Sequence, residues 1–378
     1  MAPRITPNVN EDRLVAEYHL IGDGDGVARM AEDICVEQTV EFPVDLIEQE
    51  HIRTQIIGEV RSMEALSARR HRVCIAYPME TAGRELPQLL NVVFGNISLK
   101  PGIRLVSIRL PLSLARLYRG PRFGIEGVRA RLGIQRRPLL ATAIKPMGLS
   151  IDAFAELASQ FARGGVDIIK DDHGLADQSF GRFEARVKAV CEAVRRVNDA
   201  GGRQCCYLPN ITAPADEVLG RALFAKAFGA GGLLIAPGLV GLDTQRRIAD
   251  DDRIALPIFS HPAFLGAYTV HSDAGISPGV LFGTLNRLAG ADATIFPNFG
   301  GRFSFSPEAC RDLSNRAAAP MAHIRPIFPV PAGGMRLDRV EEMRAFYGDD
   351  IVLLIGGDLR RHGRTVEAST RRFVSAVE

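Results

Sequence analysis

Residues 139–173 read LLATAIKPMGLSIDAFAELASQFARGGVDIIKDDH. The stretch opens on LLATAI, an apolar run without polar alternation, which is the pattern of a strand covered on both faces. Ser150 then stands where a helix N-cap belongs, the apolar residues of IDAFAELASQFA recur at helical spacing, and Gly164-Gly165 ends the pattern. A second apolar run, VDIIKDD, follows. Strand, helix, strand in this order is one parallel β-α-β unit.

Downstream the alternation repeats at QCCYLPN (204–210), LLIAPG (233–238), LPIFSHP (256–262), ATIFPNF (293–299), RPIFPVPAGG (325–334) and IVLLIGGD (351–358). With the first two runs these make eight strands, the count of a (β/α)8 TIM barrel. Upstream the order differs. RLVAEYHL (13–20), VRSMEALS (60–67), HRVCIAYPM (71–79) and IRLVSIRLPL (103–112) read as strands, and VARMAEDIC (27–35) and ELPQLLNVVFGN (85–96) as helices. The spacing predicts a ferredoxin-like α+β domain over 1–135, followed by the barrel over 136–378.

Composition fits this α/β reading. The 378 residues are 46% hydrophobic and 24% charged, enough apolar material for a large core and too much for a disordered chain. A net charge of +2 gives no general attraction to nucleic acid or an anionic membrane, so any anion site has to be local. No run reaches the roughly 18 apolar residues that span a bilayer. The opening MAPRITPNVNEDR lacks the apolar core of a secretory signal, and a cytoplasmic protein is expected. Six cysteines without metal-site spacing read as reduced thiols.

In such barrels the chemistry lies at the carboxyl ends of the strands. Here those ends carry Lys145, then Lys170 with Asp171, Asp172 and His173, then Asn210, His261, and Asn298 followed by Gly300-Gly301-Arg302. The last two strands end in Gly333-Gly334 and Gly356-Gly357, where backbone N–H groups can hold a phosphate. Each residue has a plainer alternative. Asn210 could bond a neighbouring loop, His261 could be a core histidine, and the glycine pairs could only make tight turns. Independent plain readings would not place them all at strand ends.

The segments KPMGLS (145–150), GGVDIIKDDH (164–173), FGI (123–125) with RPLL (137–140), and GDD (348–350) through Gly356-Gly357 resemble the large subunit of ribulose bisphosphate carboxylase/oxygenase. The resemblance implies that Lys170 is carbamylated by CO2 and holds Mg2+ together with Asp172 and His173. In the carboxylase family a glutamate stands where this chain has His173, so softer divalent metals are admitted as well. Lys145 matches the family's first catalytic lysine. Its second is Met147 here, the loop 298–303 has no lysine, and His261 is followed by Pro262 where an arginine grips a second phosphate. These departures argue against CO2 fixation and for a substrate with one phosphate, held by Gly333, Gly334, Gly356 and Gly357. Asn210, His261, Asn298 and Arg302 are expected to contact substrate. Glu37 and Asn91 match residues that reach a neighbouring subunit's site, which implies a homodimer with shared active sites, although Glu37 could also be an ordinary exposed carboxylate.

The branch that the chain resembles is the RuBisCO-like proteins. The reaction expected is metal-dependent decarboxylation of a phosphorylated 3-oxo sugar acid, 3-oxo-isoapionate 4-phosphate, through an enediolate. Enolisation of 2,3-diketo-5-methylthiopentyl 1-phosphate and isomerisation of 5-methylthioribulose 1-phosphate are the alternatives from the same branch. From other classes come a Schiff-base aldolase using Lys145 and a non-catalytic regulatory dimer.

Overall fold

The computed structural model describes residues 12–201, 204–303 and 305–378. Most of the N-terminal stretch read for a secretory signal lies outside them. The strands are, in chain order, β1 (Arg13–Ile21), β2 (Glu59–Ala65), β3 (Arg70–Pro78), β4 (Ile103–Arg109), β5 (Leu139–Ile144), β6 (Ile168–Asp171) and β7 (Cys206–Leu208). They continue with β8 (Leu233–Ile235), β9 (Ile258–Ser260), β10 (Gly275–Ile276), β11 (Ala293–Pro297), β12 (Phe328–Ala332) and β13 (Val352–Ile355).

The chain divides into two compact units. One ends at Tyr118 and takes in Gly266–Thr284 and Met321–His323, while the other comprises Arg119–Leu265, Leu285–Pro320 and Ile324–Glu378. In the first unit the sheet order is β10-β4-β1-β3-β2, antiparallel apart from the parallel β10–β4 pair. The order β4-β1-β3-β2 is ferredoxin-like. β1 alternates strictly, burying Leu14, Ala16, Tyr18 and Leu20 completely. The helix Gly24–Glu37 lies against β1, β2 and β3 and is capped by Asp23, whose carboxylate accepts the Gly26 N–H at 2.7 Å.

In the second unit β13-β5-β6-β7 and β8-β9-β11-β12 are parallel sheets that close into the barrel. One seam is a single parallel bridge between Asn210 and Leu234, and at the other β12 lies beside β13. Period-two alternation decides which way each side chain points. Ala141, Ile168, Leu208, Leu234, Phe259, Ile295, Val330 and Leu354 fill the lumen, while Leu140, Ile169, Tyr207, Leu233, Ile258 and Leu353 pack toward the outer helices.

Residues 119–135 were read with the first domain, but the helix Gly124–Leu132 belongs with the barrel. Its buried Ile125, Val128 and Leu132 pack into the lumen cluster with Leu139, Ile168 and Phe328, because an apolar stripe at that spacing needs a core to cover it. Asp292 holds its start. The fully buried carboxylate accepts the N–H groups of Phe123 and Gly124 at 2.7 Å and that of Ile258 at 2.9 Å. Among the described residues no helix is long and apolar enough to cross a membrane.

Candidate active site at the carboxyl ends of the barrel strands

Lys145, Asp172 and His261 are each the first residue beyond a barrel strand, and Lys170 lies within β6. Lumen parity runs through Leu139, Ala141 and Ala143 to Lys145, through Ile168 and Lys170 to Asp172, and through Phe259 to His261. The strand ends therefore bring these four together with His173. Lys145 Nζ lies 2.9 Å from Asp172 Oδ1, and His173 Nδ1 lies 3.2 Å from the same oxygen. The His173 and His261 rings stack with centroids 4.5 Å apart and planes within 10°.

The electrostatics follow from this crowding. Burial pushes the Lys170 ammonium down to about 8, with the Asp172 charge opposing and Lys145 reinforcing the shift. Its Nζ donates to the Asp171 carbonyl at 3.0 Å. Burial works against ionisation of Asp172, yet hydrogen bonds from His173 and Lys145 and the charges of both lysines hold it well below the usual carboxylate range. Burial, Lys170 and His173 keep His261 well below the usual imidazole range. The Ala263 N–H donates to His261 Nδ1 at 3.1 Å, so the neutral ring carries its proton on Nε2 and can donate from there.

Whether a divalent metal fits depends on Lys170. Asp172 and His173 are two donors, and among the described residues no group of three His, Cys, Asp or Glu is placed to hold a metal. An amine depressed to about 8 and interacting with the Asp172 charge is suited to add CO2 and become a third, anionic oxygen donor. The residues fit a divalent ion on that condition.

Beyond β12 and β13 lie the glycine turns. Gly333 and Gly334 have φ of 85° and 112°, a backbone region other residues rarely adopt, and a Cβ on Gly356 or Gly357 would meet nothing within 4 Å. The two turns are tied together, since Asp358 Oδ2 accepts from the Leu337 N–H at 3.1 Å and pairs with His362 Nε2 at 2.8 Å. Arg360 donates to the Lys145 carbonyl at 3.1 Å. A Cβ on Gly301 would fall 2.0 Å from the Gly333 carbonyl oxygen, an overlap only backbone movement can relieve. If these turns take a phosphate, Gly301→Ala would weaken inorganic phosphate binding at least about tenfold, an effect of ~1.4 kcal/mol that calorimetric titration would resolve.

Five of the residues read as substrate contacts have the following settings. Asn298 follows Ala293, Ile295 and Pro297 on the opposite parity and points away from the lumen. It is buried, donates to Met343 Sδ at 2.9 Å and accepts from Tyr347 Oη at 2.6 Å. Asn210 is also buried and fully engaged. Its Nδ2 donates to the carbonyls of His173 and Leu175 at 3.0 and 2.9 Å, and its Oδ1 accepts the Thr212 N–H at 3.2 Å, so it braces a loop. Arg302 is exposed, with its guanidinium 5.1 Å from the Phe303 ring, and its N–H donates to the Gly333 carbonyl at 3.4 Å. Glu37 and Asn91 lie in the first unit. Glu37 accepts from Asn96 at 3.0 Å, and its neighbour Gln38 donates to the Asn91 carbonyl at 2.7 Å.

A cavity of about 980 Å3 runs between helices past Glu156, Arg163, Arg196, Glu367 and Arg371. It touches none of the strand-end groups. Arg163 and Arg371 are paired with Glu156 and Glu367 there, so these four charges offset one another within the cavity.

A family model described as ribulose bisphosphate carboxylase large chain, catalytic domain, matches residues 124–304. The ribulose bisphosphate carboxylase-like protein 1 of Rhodopseudomonas palustris is 39% identical over 366 residues, covering 97% of this chain and 98% of that one. The 5-methylthioribulose-1-phosphate isomerase of Rhodospirillum rubrum is 38% identical over 367 residues, covering 97% and 96%. The crystal structure of a Rubisco-like protein from Rhodopseudomonas palustris superposes with a TM-score of 0.89 at 40% identity, over 97% of this chain and 98% of that one. Such identity along nearly the whole length of each chain makes this protein a member of the ribulose bisphosphate carboxylase large-chain family, in its RuBisCO-like branch.

Proposed function

We propose that the chain moves a proton at the carbon beside the carbonyl of a keto sugar monophosphate, as an isomerase or enolase, without fixing CO2. The observation that carries this reading is the cluster of Lys145, Lys170, Asp172, His173 and His261, which sets an ammonium and two imidazoles around one carboxylate. The likeness to the Rhodospirillum rubrum isomerase over both full lengths supports it.

Lys170 Nζ, once neutral, adds to CO2 and releases one proton to leave –NH–COO−. A divalent cation such as Mg2+, held by that carbamate, Asp172 and His173, would supply Lewis-acid polarisation of the substrate's oxygens. The other tasks fall to the chain's own groups. Lys145 Nζ carries the proton exchanged with carbon, and His261 Nε2–H donates to a substrate oxygen. Asn210 acts through the loop it braces, and the turns at Gly333-Gly334 and Gly356-Gly357 take the phosphate through their N–H groups. Met147, about half exposed, and the loop 298–303 bring no lysine, which fits a reaction that adds no CO2 to carbon. Glu37 and Asn91 are assigned to the partner's site in a homodimer.

A second reading is favoured by one contact. Lys145 is ion-paired with Asp172 and so stands as an acid, which is what decarboxylation of a phosphorylated 3-oxo sugar acid requires. There the bond to the carboxylate carbon breaks, CO2 leaves, its electron pair forms an enediolate, and Lys145 protonates the carbon. Incubation in D2O with 5-methylthioribulose 1-phosphate, 2,3-diketo-5-methylthiopentyl 1-phosphate and 3-oxo-isoapionate 4-phosphate separates the two. Deuterium entering carbon without CO2 release is the expected result. Stoichiometric CO2 release selects decarboxylation, and the absence of both deuterium incorporation and CO2 release overturns both readings.

A further inference from the structure

We propose that Asp171, the outward-facing neighbour of Asp172, is a positioning residue that sets the place of His173 through Tyr207, Arg186 and Asn210. The inference rests on the reading of Lys170, Asp172 and His173 as the metal-holding set.

Consecutive residues of β6 point to opposite sides, so Lys170 and Asp172 face the lumen and Asp171 faces the outer helices. The Asp171 and Arg186 side chains are both fully buried, with Arg186 Nε 3.2 Å from Asp171 Oδ2. That oxygen also accepts the Asn210 N–H at 3.0 Å, and Oδ1 accepts from Tyr207 Oη at 2.6 Å. From this hub two arms reach the segment that follows His173. Arg186 donates to the carbonyls of Ala176, at 2.9 Å, and of Gly181. Asn210, whose own N–H is anchored on Asp171, donates to the carbonyls of His173 and Leu175. The carbonyl of Asp171 receives Lys170 Nζ. One residue thus links the backbone around both flanking candidate ligands.

Stability alone does not account for the arrangement. A buried ion pair is often replaceable by apolar side chains without loss, because desolvating both charges offsets their attraction. What the network does specify is geometry. The His173 side chain is about half exposed, is held by one hydrogen bond and one stacked ring, and depends on its main chain for position. Groups that orient ligands in this way commonly change metal affinity by about 10- to 100-fold when removed.

The test compares wild type, Tyr207→Phe and Asp171→Asn as full chains. Tyr207→Phe removes one hydroxyl and is expected to fold, so it decides the matter if Asp171→Asn does not. The readouts are the Mg2+ concentration for half-maximal activation, kcat and KM, the carbamate signal with 13C-bicarbonate, and the ring 15N shifts of His173 without metal. The expected result is an Mg2+ requirement raised about tenfold in Tyr207→Phe, a change in kcat larger than in KM, and displaced His173 ring shifts. Unchanged His173 shifts and unchanged Mg2+ dependence in a folded variant would overturn the proposal. If wild type itself shows neither carbamate nor Mg2+ response, the metal reading has failed. The His173 shifts then decide the positioning role by themselves.

Discussion

Replacing Lys170 with alanine is expected to reduce turnover about a thousandfold or more while the protein stays folded. The lysine is 3% exposed, so its ammonium is held out of water, and burial has pushed it to about 8. At pH 7 such a group is neutral in about one molecule in ten, against roughly one in a few thousand for an unperturbed lysine. That fraction makes reaction with CO2 feasible where ordinary lysines remain protonated. Loss of the resulting donor removes a Lewis-acid contribution of several kcal/mol, about three factors of ten in rate. Folding is affected less, because the desolvation cost of the charge disappears along with the contacts of its stem. Thermal melts would check both parts. Wild type should be stabilised by Mg2+ with bicarbonate, by mass action, and Lys170→Ala should not respond. Lys145→Ala should lose turnover but keep that response. Substantial activity in Lys170→Ala would refute the carbamate.

The largest effect on stability is expected at Asp292, remote from the chemistry. Its carboxylate serves three backbone N–H groups from two segments, Phe123-Gly124 and Ile258. Alanine there would leave three donors, two of them buried and one part-buried, without an acceptor, a loss of about 3–5 kcal/mol against a typical total of ~5–15. The effect should also depend on pH. Burial raises Asp292 to about 6, with the three N–H groups opposing. A carboxyl whose folded-state value lies above its unfolded ~3.9 stabilises the fold most below pH 4, and that part is lost as pH rises toward 6. Two units correspond to about 3 kcal/mol at most. Denaturant titrations of both proteins should therefore show the gap between wild type and Asp292→Ala narrowing between pH 4 and 6. A gap that widens over that range would contradict the assignment.

Much of this architecture is legible in the residues. The barrel strands are near-continuous apolar runs, and the one at 139–144 identifies itself because nothing in LLATAI allows a solvent-facing side. The cluster around Asp172 follows, since each strand end exposes one lumen-facing residue to the same mouth. Asn298 shows where the reading needed one further step. In ATIFPNF the small and apolar residues at 293, 295 and 297 share a face, so position 298 must look outward. Asn210 is harder, because β7 ends at Leu208 and the chain leaves the strand at Pro209, so counting parity through it fails. The Asp171 hub was readable in part. Two adjacent aspartates on a strand cannot both face the lumen, although nothing in the sequence says that Arg186 and Tyr207 meet the second. β10 has two residues, too few for any periodicity to show.

That short strand has a consequence for how the chain is made. β10 pairs with β4, yet it is synthesised more than 150 residues later, after five of the barrel strands. A nascent chain that has emerged only through Tyr118 holds four of the five strands of its first sheet, with β4 as a bare edge offering unpaired N–H and C=O groups. Translation reaches 275–276 only after that interval, during which the edge is open to pairing with another chain. A fragment cut at Tyr118 would keep this edge permanently, so the ferredoxin-like unit is better regarded as one completed by its own late segment Gly266–Thr284 than as a module that the first 118 residues make alone.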